Sequence, residues 1–161
     1  AETSNQKVRI NKNLLKNVIE ETLRLWPPVS ADFKFAVEPD VLPSGAAVGA
    51  NDPIVWNTFS MGRSTQIWGP DAAVWNPARW DDPELKPTPF EHPVFNAGKR
   101  TCLGQHMARI EIAVMLCHLL RAFRLQAPPG YTPRTPLDCG SNITLKSKQG
   151  ACVILISRSV H

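Results

Sequence analysis

The sequence predicts a mainly α fold with small antiparallel β-sheets, an α+β arrangement in a single partial domain over 1–161. Three observations lead there. Two stretches, 11–26 and 104–123, repeat apolar residues at helical spacing. Short apolar runs separated by turn residues read as paired strands after 33 and again within 140–157. The 15 prolines in 161 residues are too many for helices alone, so irregular connections must lie between the elements.

In chain order, the first helix (11–26) places Leu15, Val18, Ile19, Thr22 and Leu23 on one face, and Pro27-Pro28 ends it. Phe33 to Val37 and Ile54 to Thr58 read as strands, with Leu42-Pro43-Ser44-Gly45 as a turn between them. These β segments lead into a meander, together 33–94, with at most a turn or two of helix near Asp71 to Val74. Trp56, Trp68, Trp75 and Trp80 lie in or just before the irregular part, where large aromatics pin loops to a core. A loop at 95–104 precedes the long helix 104–123, whose stripe is Ala108, Ile112, Met115, Leu116, Leu119, Leu120 and Phe123. Arg109, His118 and Arg121 fall largely off that stripe. Pro128-Pro129-Gly130 breaks the chain, and Asn142 to Leu145 with Ala151 to Ile156 form the expected terminal β-hairpin, 140–157.

Composition narrows the function classes. At 43% hydrophobic and 20% charged the chain is globular rather than disordered. A net charge of +4 without any Lys/Arg-rich block gives no reason to expect nucleic acid as a partner. No apolar run approaches a membrane span and no signal peptide opens the sequence. The start, Ala1 to Gln6, has no initiator Met, in keeping with a fragment or a processed chain. Cys102, Cys117, Cys139 and Cys152 include no C-x-x-C pair, which leaves zinc little support. They are too sparse for a secreted disulfide framework, so a reducing compartment is expected.

The chemistry concentrates at Phe95-Asn96-Ala97-Gly98-Lys99-Arg100-Thr101-Cys102-Leu103-Gly104. A cysteine just ahead of a helix feels the positive end of its dipole, which favours thiolate over thiol. Gly98 and Gly104 let backbone approach a flat ligand, and Arg100 is a permanent cation suited to a carboxylate. A lone cysteine between two glycines is nevertheless more often a buried, inert thiol. Glu21 and Arg24, taken alone, are i, i+3 neighbours of the kind that form a surface pair worth about a few tenths of a kcal/mol.

The longer pattern resembles the cytochrome P-450 haem-binding signature, F-x-x-G-x-R-x-C-x-G, at Phe95, Gly98, Arg100, Cys102 and Gly104. Ala108 and Glu111 match the small residue and acid that follow in that family. Glu21-Thr22-Leu23-Arg24, followed by Leu25-Trp26-Pro27-Pro28, looks like its E-x-x-R motif. Asn76-Pro77-Ala78-Arg79-Trp80 is similar to its P-E-R-F segment, with Ala78 for the Glu and Trp80 for the Phe. The motifs run in the family's order over roughly Asn11 to Ser157, which implies the C-terminal part of that fold, incomplete. No A-G-x-[DE]-T oxygen-activating pattern is present.

The resemblance implies haem b (iron protoporphyrin IX) with Cys102 as axial iron ligand and catalytic residue, Phe95, Gly98, Arg100 and Gly104 around it, and a buried network of Glu21, Arg24 and Arg79. A thiolate on haem iron favours cleavage of a bound O–O bond. It further implies that Val29, Ser30 and Ala31 line the substrate pocket and that Lys34 reaches a haem propionate, with Arg63 ranked below it. The implied activity is monooxygenation: hydroxylation of a lipophilic substrate with O2 and electrons from an NADPH-dependent flavoprotein reductase. Such a partner is acidic, and Lys99, Arg100, His106 and Arg109 form the basic face expected to meet it. Residue clusters such as Asp32-Phe33-Lys34 and Met61-Gly62-Arg63 are similar to the enzymes that hydroxylate fatty acids or alkanes near the chain end. The parent protein is expected on the cytosolic face of the endoplasmic reticulum membrane, and the present chain alone is expected to be inactive. Two readings stand beside this one: a truncated, non-catalytic haem-domain fragment, and a haem-thiolate enzyme that rearranges hydroperoxides.

Overall fold

A computed structural model describes residues 9–129, 139–141, 144–147 and 153–158. The opening Ala1 to Gln6, Gly130, Cys152 and the portions of the expected hairpin at 142–143 and 148–152 lie outside them.

Helix α1 is Lys12–Leu25, started by Asn11, whose side-chain oxygen accepts from the N–H groups of Asn13 and Leu14. Its buried face differs from the expected apolar stripe. Thr22 is exposed, its hydroxyl donating to the Val18 carbonyl, and Leu15 and Val18 are only half-buried. Ile19, Leu23 and Leu25 are buried, but Asn17, Glu20, Glu21 and Arg24 are buried with them. The reason lies in what α1 meets: an irregular loop rich in free carbonyls and polar side chains and, at Glu20, the guanidinium of Arg109, which together satisfy its charges.

Strands β1 (Asp32–Phe35) and β4 (Pro53–Trp56) pair antiparallel, with Lys34 opposite Ile54. Between them sits an inner pair, β2 (Asp40–Val41) with β3 (Ala47–Val48). The Leu42–Gly45 turn closes this inner ladder rather than joining the two longer strands, and Gly45 takes φ 85° to make it. The short helices of the meander also fall elsewhere than Asp71 to Val74, which is a turn. They are α2 (Thr58–Met61), α3 (Thr65–Trp68) and a 3-10 turn at Pro77–Asp81. Thr58, expected at a strand end, instead begins α2 because the Asn57 carboxamide caps the N–H of Ser60.

Two further 3-10 turns, Pro93–Phe95 and Gly98–Arg100, shape the cysteine loop, and helix α4 follows over Gln105–Ala122 with Gly104 as its N-cap. The half-buried positions Ala108, Ile112, Leu116, Leu119 and Leu120 follow the expected stripe, whereas Met115 is exposed. Met107, Ile110 and Val114 are exposed as well, so α4 is apolar on faces that the described residues leave uncovered. Among the described residues no helix is long and apolar enough to cross a membrane.

The terminal hairpin is corrected. Strand β8 (Ile154–Ser157) pairs antiparallel with β5 (Phe123–Gln126), directly after α4, while β6 (Cys139–Ser141) pairs with β7 (Leu145–Ser147). Phe123-Arg124-Leu125 has the alternation of a strand, hidden at the end of a helical stripe. The Leu145 N–H donates to the Pro28 carbonyl at 2.7 Å, so β7 reaches back to the end of α1.

Candidate functional site

The site is built around two anchors, a charge network on α1 and the cysteine loop ahead of α4. Glu21 and Arg24 are fully buried. The Arg24 guanidinium donates from Nε and Nη2 to the two Glu21 carboxylate oxygens, both at 2.8 Å. Its remaining donors go to the carbonyls of Gly62, Ala72 (2.6 Å) and Val74 (3.1 Å). A Cβ at Gly62 would overlap the Arg24 carbonyl oxygen, so only glycine lets this loop close over the helix. Arg79 donates from Nε to Glu21 at 3.0 Å and grips Asp71 through both terminal nitrogens, at 3.1 and 2.9 Å. The Asn76 N–H (2.7 Å) and the Trp80 indole N–H (3.1 Å) complete the shell around Glu21.

The electrostatics follow from those contacts. Burial pushes the Glu21 carboxyl up, but the hydrogen bonds from Arg24, Asn76 and Arg79 outweigh it and hold its pKa below 4.5. Hydrogen bonds from Arg79 hold Asp71 below 3.8. A carboxylate with five donors and an arginine with five acceptor contacts form a satisfied buried ion network.

The cysteine loop is closed by its own backbone. The Cys102 N–H donates to the Phe95 carbonyl at 2.8 Å, and the Thr101 N–H and hydroxyl both donate to the Gly98 carbonyl, at 3.1 and 2.8 Å. Asn96 and Gly98 take left-handed φ angles of 60° and 65°. A Cβ at Gly98 would meet nothing nearer than a Phe90 ring atom at 4.0 Å, so the backbone angle rather than space calls for glycine there. At Gly104 the angle is ordinary, and a Cβ would lie 3.9 Å from the Cys102 sulfur. Glycine at 104 therefore leaves the sulfur's flank open. Cys102 is exposed and unpaired. Arg100 is exposed and forms no ion pair among the described residues.

The loop is tied to β1: the Asn96 carboxamide donates to the Asp32 carboxylate at 3.1 Å. Lys34, two residues along that strand, is exposed with its ammonium 5.8 Å from the centre of the Trp56 ring. Lys34, Trp56, Met61, Phe90, Asn96 and Ala97 line a cavity of about 290 Å³ beside the loop. Val29 and Ala31 are exposed and Ser30 is half-buried, its carbonyl accepting from the Phe59 N–H at 3.0 Å. Arg63 is taken up elsewhere. Its guanidinium donates to the carbonyls of Leu25 (2.6 Å) and Phe59 (3.2 Å) and lies 3.6 Å from the Phe59 ring centre.

Arg109 also departs from its expected place on the basic face. Its Nε donates to Glu20 at 2.6 Å, and its guanidinium lies over the Phe95 ring, 4.4 Å from the centroid. Lys99, Arg100 and His106 remain exposed. Four contributors were not singled out from the sequence: Asp71 as partner of Arg79, the Trp80 indole as donor to Glu21, Glu20 as partner of Arg109, and His92. The Trp80 contact had a signal, since an indole N–H inside a core seeks an acceptor. His92 sits against Trp68 (5.4 Å) and Trp80 (5.5 Å), with its Nε2 buried and lacking a partner among the described residues. Burial pushes its pKa down to about 4.

The family model described as Cytochrome P450 matches residues 3–153. Cytochrome P450 94C1 of Arabidopsis thaliana is 36% identical over 142 residues, covering 86% of this chain and 28% of that protein. Alkane hydroxylase MAH1 of the same plant is 35% identical over 147 residues, covering 89% of this chain and 29% of its own. A Helianthus annuus protein named Cytochrome P450 is 37% identical over 128 residues, covering 73% of this chain and 83% of that sequence. The chain thus spans under a third of the length of the two Arabidopsis relatives.

Proposed function

The chain belongs to the cytochrome P450 family, and on that premise we propose that Cys102 is the axial thiolate of a haem b iron in a monooxygenase that hydroxylates a lipophilic, fatty-acid- or alkane-like substrate. The observation that carries this reading is the cysteine loop itself. It presents an exposed, unpaired sulfur between two glycines, immediately ahead of the α4 N-terminus.

The residues present fit such a group. The donor is a soft sulfur held on a backbone-closed loop, and glycine at 104 leaves out a side chain that would start in contact with it. Arg100 and Lys34 are exposed cations without ion-pair partners among the described residues, and they are the candidates for the two haem carboxylates. Phe95 holds the Cys102 backbone through its carbonyl. Glu21, Arg24 and Arg79 lie away from solvent and act as scaffold, pinning the meander that leads into the loop.

When bound, the haem supplies reductive activation of O2, and the protein supplies the ligand, the pocket and the electrostatics. Val29, Ser30 and Ala31, on the chain between α1 and β1, are proposed to contact substrate. The similarity to an alkane hydroxylase supports the substrate class. Lys99, Arg100 and His106 are proposed to meet an acidic NADPH-dependent flavoprotein reductase. The parent protein is proposed to work at the cytosolic face of the endoplasmic reticulum membrane.

Reconstituting the chain with haem, reducing it and adding carbon monoxide tests the ligand assignment. A strongly red-shifted Soret band that Cys102→Ala abolishes is the expected result. A haem spectrum indifferent to Cys102→Ala overturns it.

A further inference from the structure

Arg109 stands apart from the network that Glu21 organises. It lies on α4, just over one helical turn past Gly104, and its guanidinium makes three hydrogen bonds. Its Nε donates to Glu20 at 2.6 Å, Nη2 reaches the other Glu20 oxygen at 3.4 Å, and Nη1 donates to the Gln105 carboxamide at 3.3 Å. The same group lies over the Phe95 ring, its central carbon 4.4 Å from the centroid. The pair is sheltered: the side chains of Arg109 and Glu20 are 33% and 11% exposed. A planar guanidinium can stack on a ring and fork onto a carboxylate at once, which an ammonium cannot.

Phe95 is where this matters. Its ring is covered by Arg109, and its carbonyl is the acceptor for the Cys102 N–H at 2.8 Å. One residue therefore receives the clamp from α4 and passes it to the cysteine backbone. Glu20 neighbours Glu21 on α1, so the clamp ties the cysteine loop to the same helix by a route that uses neither Arg24 nor Arg79.

We infer that Arg109, locked by Glu20 and lying over the Phe95 ring, is a positioning residue that fixes the Cys102 backbone and thereby the placement of its thiolate on the iron. This rests on the proposed role of Cys102 as ligand. Its local half, the hold on the loop, is readable without haem.

Amide hydrogen exchange on the haem-free chain reads that half. Arg109→Leu is expected to speed exchange of the Cys102 amide relative to that of Leu23 in α1, with Glu20→Gln producing a smaller rise of the same kind. Arg109→Lys keeps a charge for Glu20 and is expected to restore only part of the protection. Equal acceleration at Cys102 and Leu23 would mean general loosening and would overturn the inference, as would no change at Cys102. In the haem-loaded protein, Arg109→Leu is expected to lose part of the red-shifted carbon monoxide band and to shift the reduction potential. An unchanged band and potential beside an unprotected Cys102 amide would confine Arg109 to a structural role. If the wild-type band ignores Cys102→Ala, the ligand assignment fails and its iron consequence with it, while the exchange ratio still decides whether the clamp exists. Where Arg109→Leu does not fold, Glu20→Gln carries both measurements.

Discussion

Helices α1 and α4 invert the usual relation between polarity and burial. On α1, Glu21 and Arg24 are fully buried and Asn17 and Glu20 nearly so. On α4, Met107, Ile110, Val114 and Met115 are exposed, at 50–65%. The difference lies in what each helix finds nearby. The charged groups of α1 meet carbonyls, an indole N–H and Arg79 from the meander, and Arg109 from α4, so the cost of removing them from water is offset by bonds to the charged form. An apolar surface has no equivalent local solution, because only a packed neighbour removes it from water. An apolar patch of this kind marks a surface built for contact.

The contrast breaks most sharply at the ion pair. Glu21→Ala leaves the buried Arg24 charge without its carboxylate and is expected to cost about 3–5 kcal/mol, read by denaturant unfolding, whereas Arg24→Ala, which leaves Glu21 its Arg79 partner, should cost less. A loss below about 1 kcal/mol would mean that the network is not what holds α1 to the meander. Acid acts on the same carboxylate: with its folded pKa held below 4.5, Glu21 contributes stability above that pH and loses it as pH falls through the folded value.

His92 sharpens the comparison, since its Nε2 is buried and, among the described residues, lacks the partners that Glu21 has. Its ordinary pKa of 6.5 is lowered to about 4, so between those values the unfolded chain binds more protons. Stability is therefore full above pH 6.5 and falls as pH drops toward 4, by about 3 kcal/mol for this group alone. His92→Phe should remove that decline, so a pH series of unfolding midpoints should be flatter for the variant across this window. If both proteins decline alike, His92 is not the titrating group.

Trp80→Phe removes one donor from the Glu21 shell while keeping an aromatic ring, and should cost about 1.5–2 kcal/mol in the same unfolding assay. A neutral result would show that the other four donors suffice. The smallest effect belongs to α4. Val114→Glu on its exposed face should change the stability of this chain by no more than about 0.5 kcal/mol. A large loss there would show that the face is covered after all.

Much of this was legible in the sequence, unevenly. The helix ends at Asn11 and Pro27 follow from local chemistry, since capping and proline sterics need no distant partner. The strand β8 was visible as an apolar run, but its partner was not: Phe123–Gln126 reads as the tail of a helical stripe, and only packing assigns it to a ladder. Glu21 and Arg24 by spacing alone describe a surface pair. Their burial depends on carbonyls 38 to 50 residues away, which no local window contains. Arg109 misled for the converse reason, because a cation off the apolar stripe looks solvated until Glu20 is found beside it, 89 positions earlier.

The span of the Glu21 network has a consequence for the order of events during synthesis. Every residue in it, from Glu21 to Trp80, precedes the cysteine loop in the chain. A polypeptide emerging amino end first can thus close its charge network before Phe95 or Cys102 has been made, and domains fold as they emerge. The Glu20–Arg109 contact must come later, when α4 appears, and the β5–β8 ladder last. The cysteine loop would then be delivered onto a finished platform rather than having to assemble one around itself.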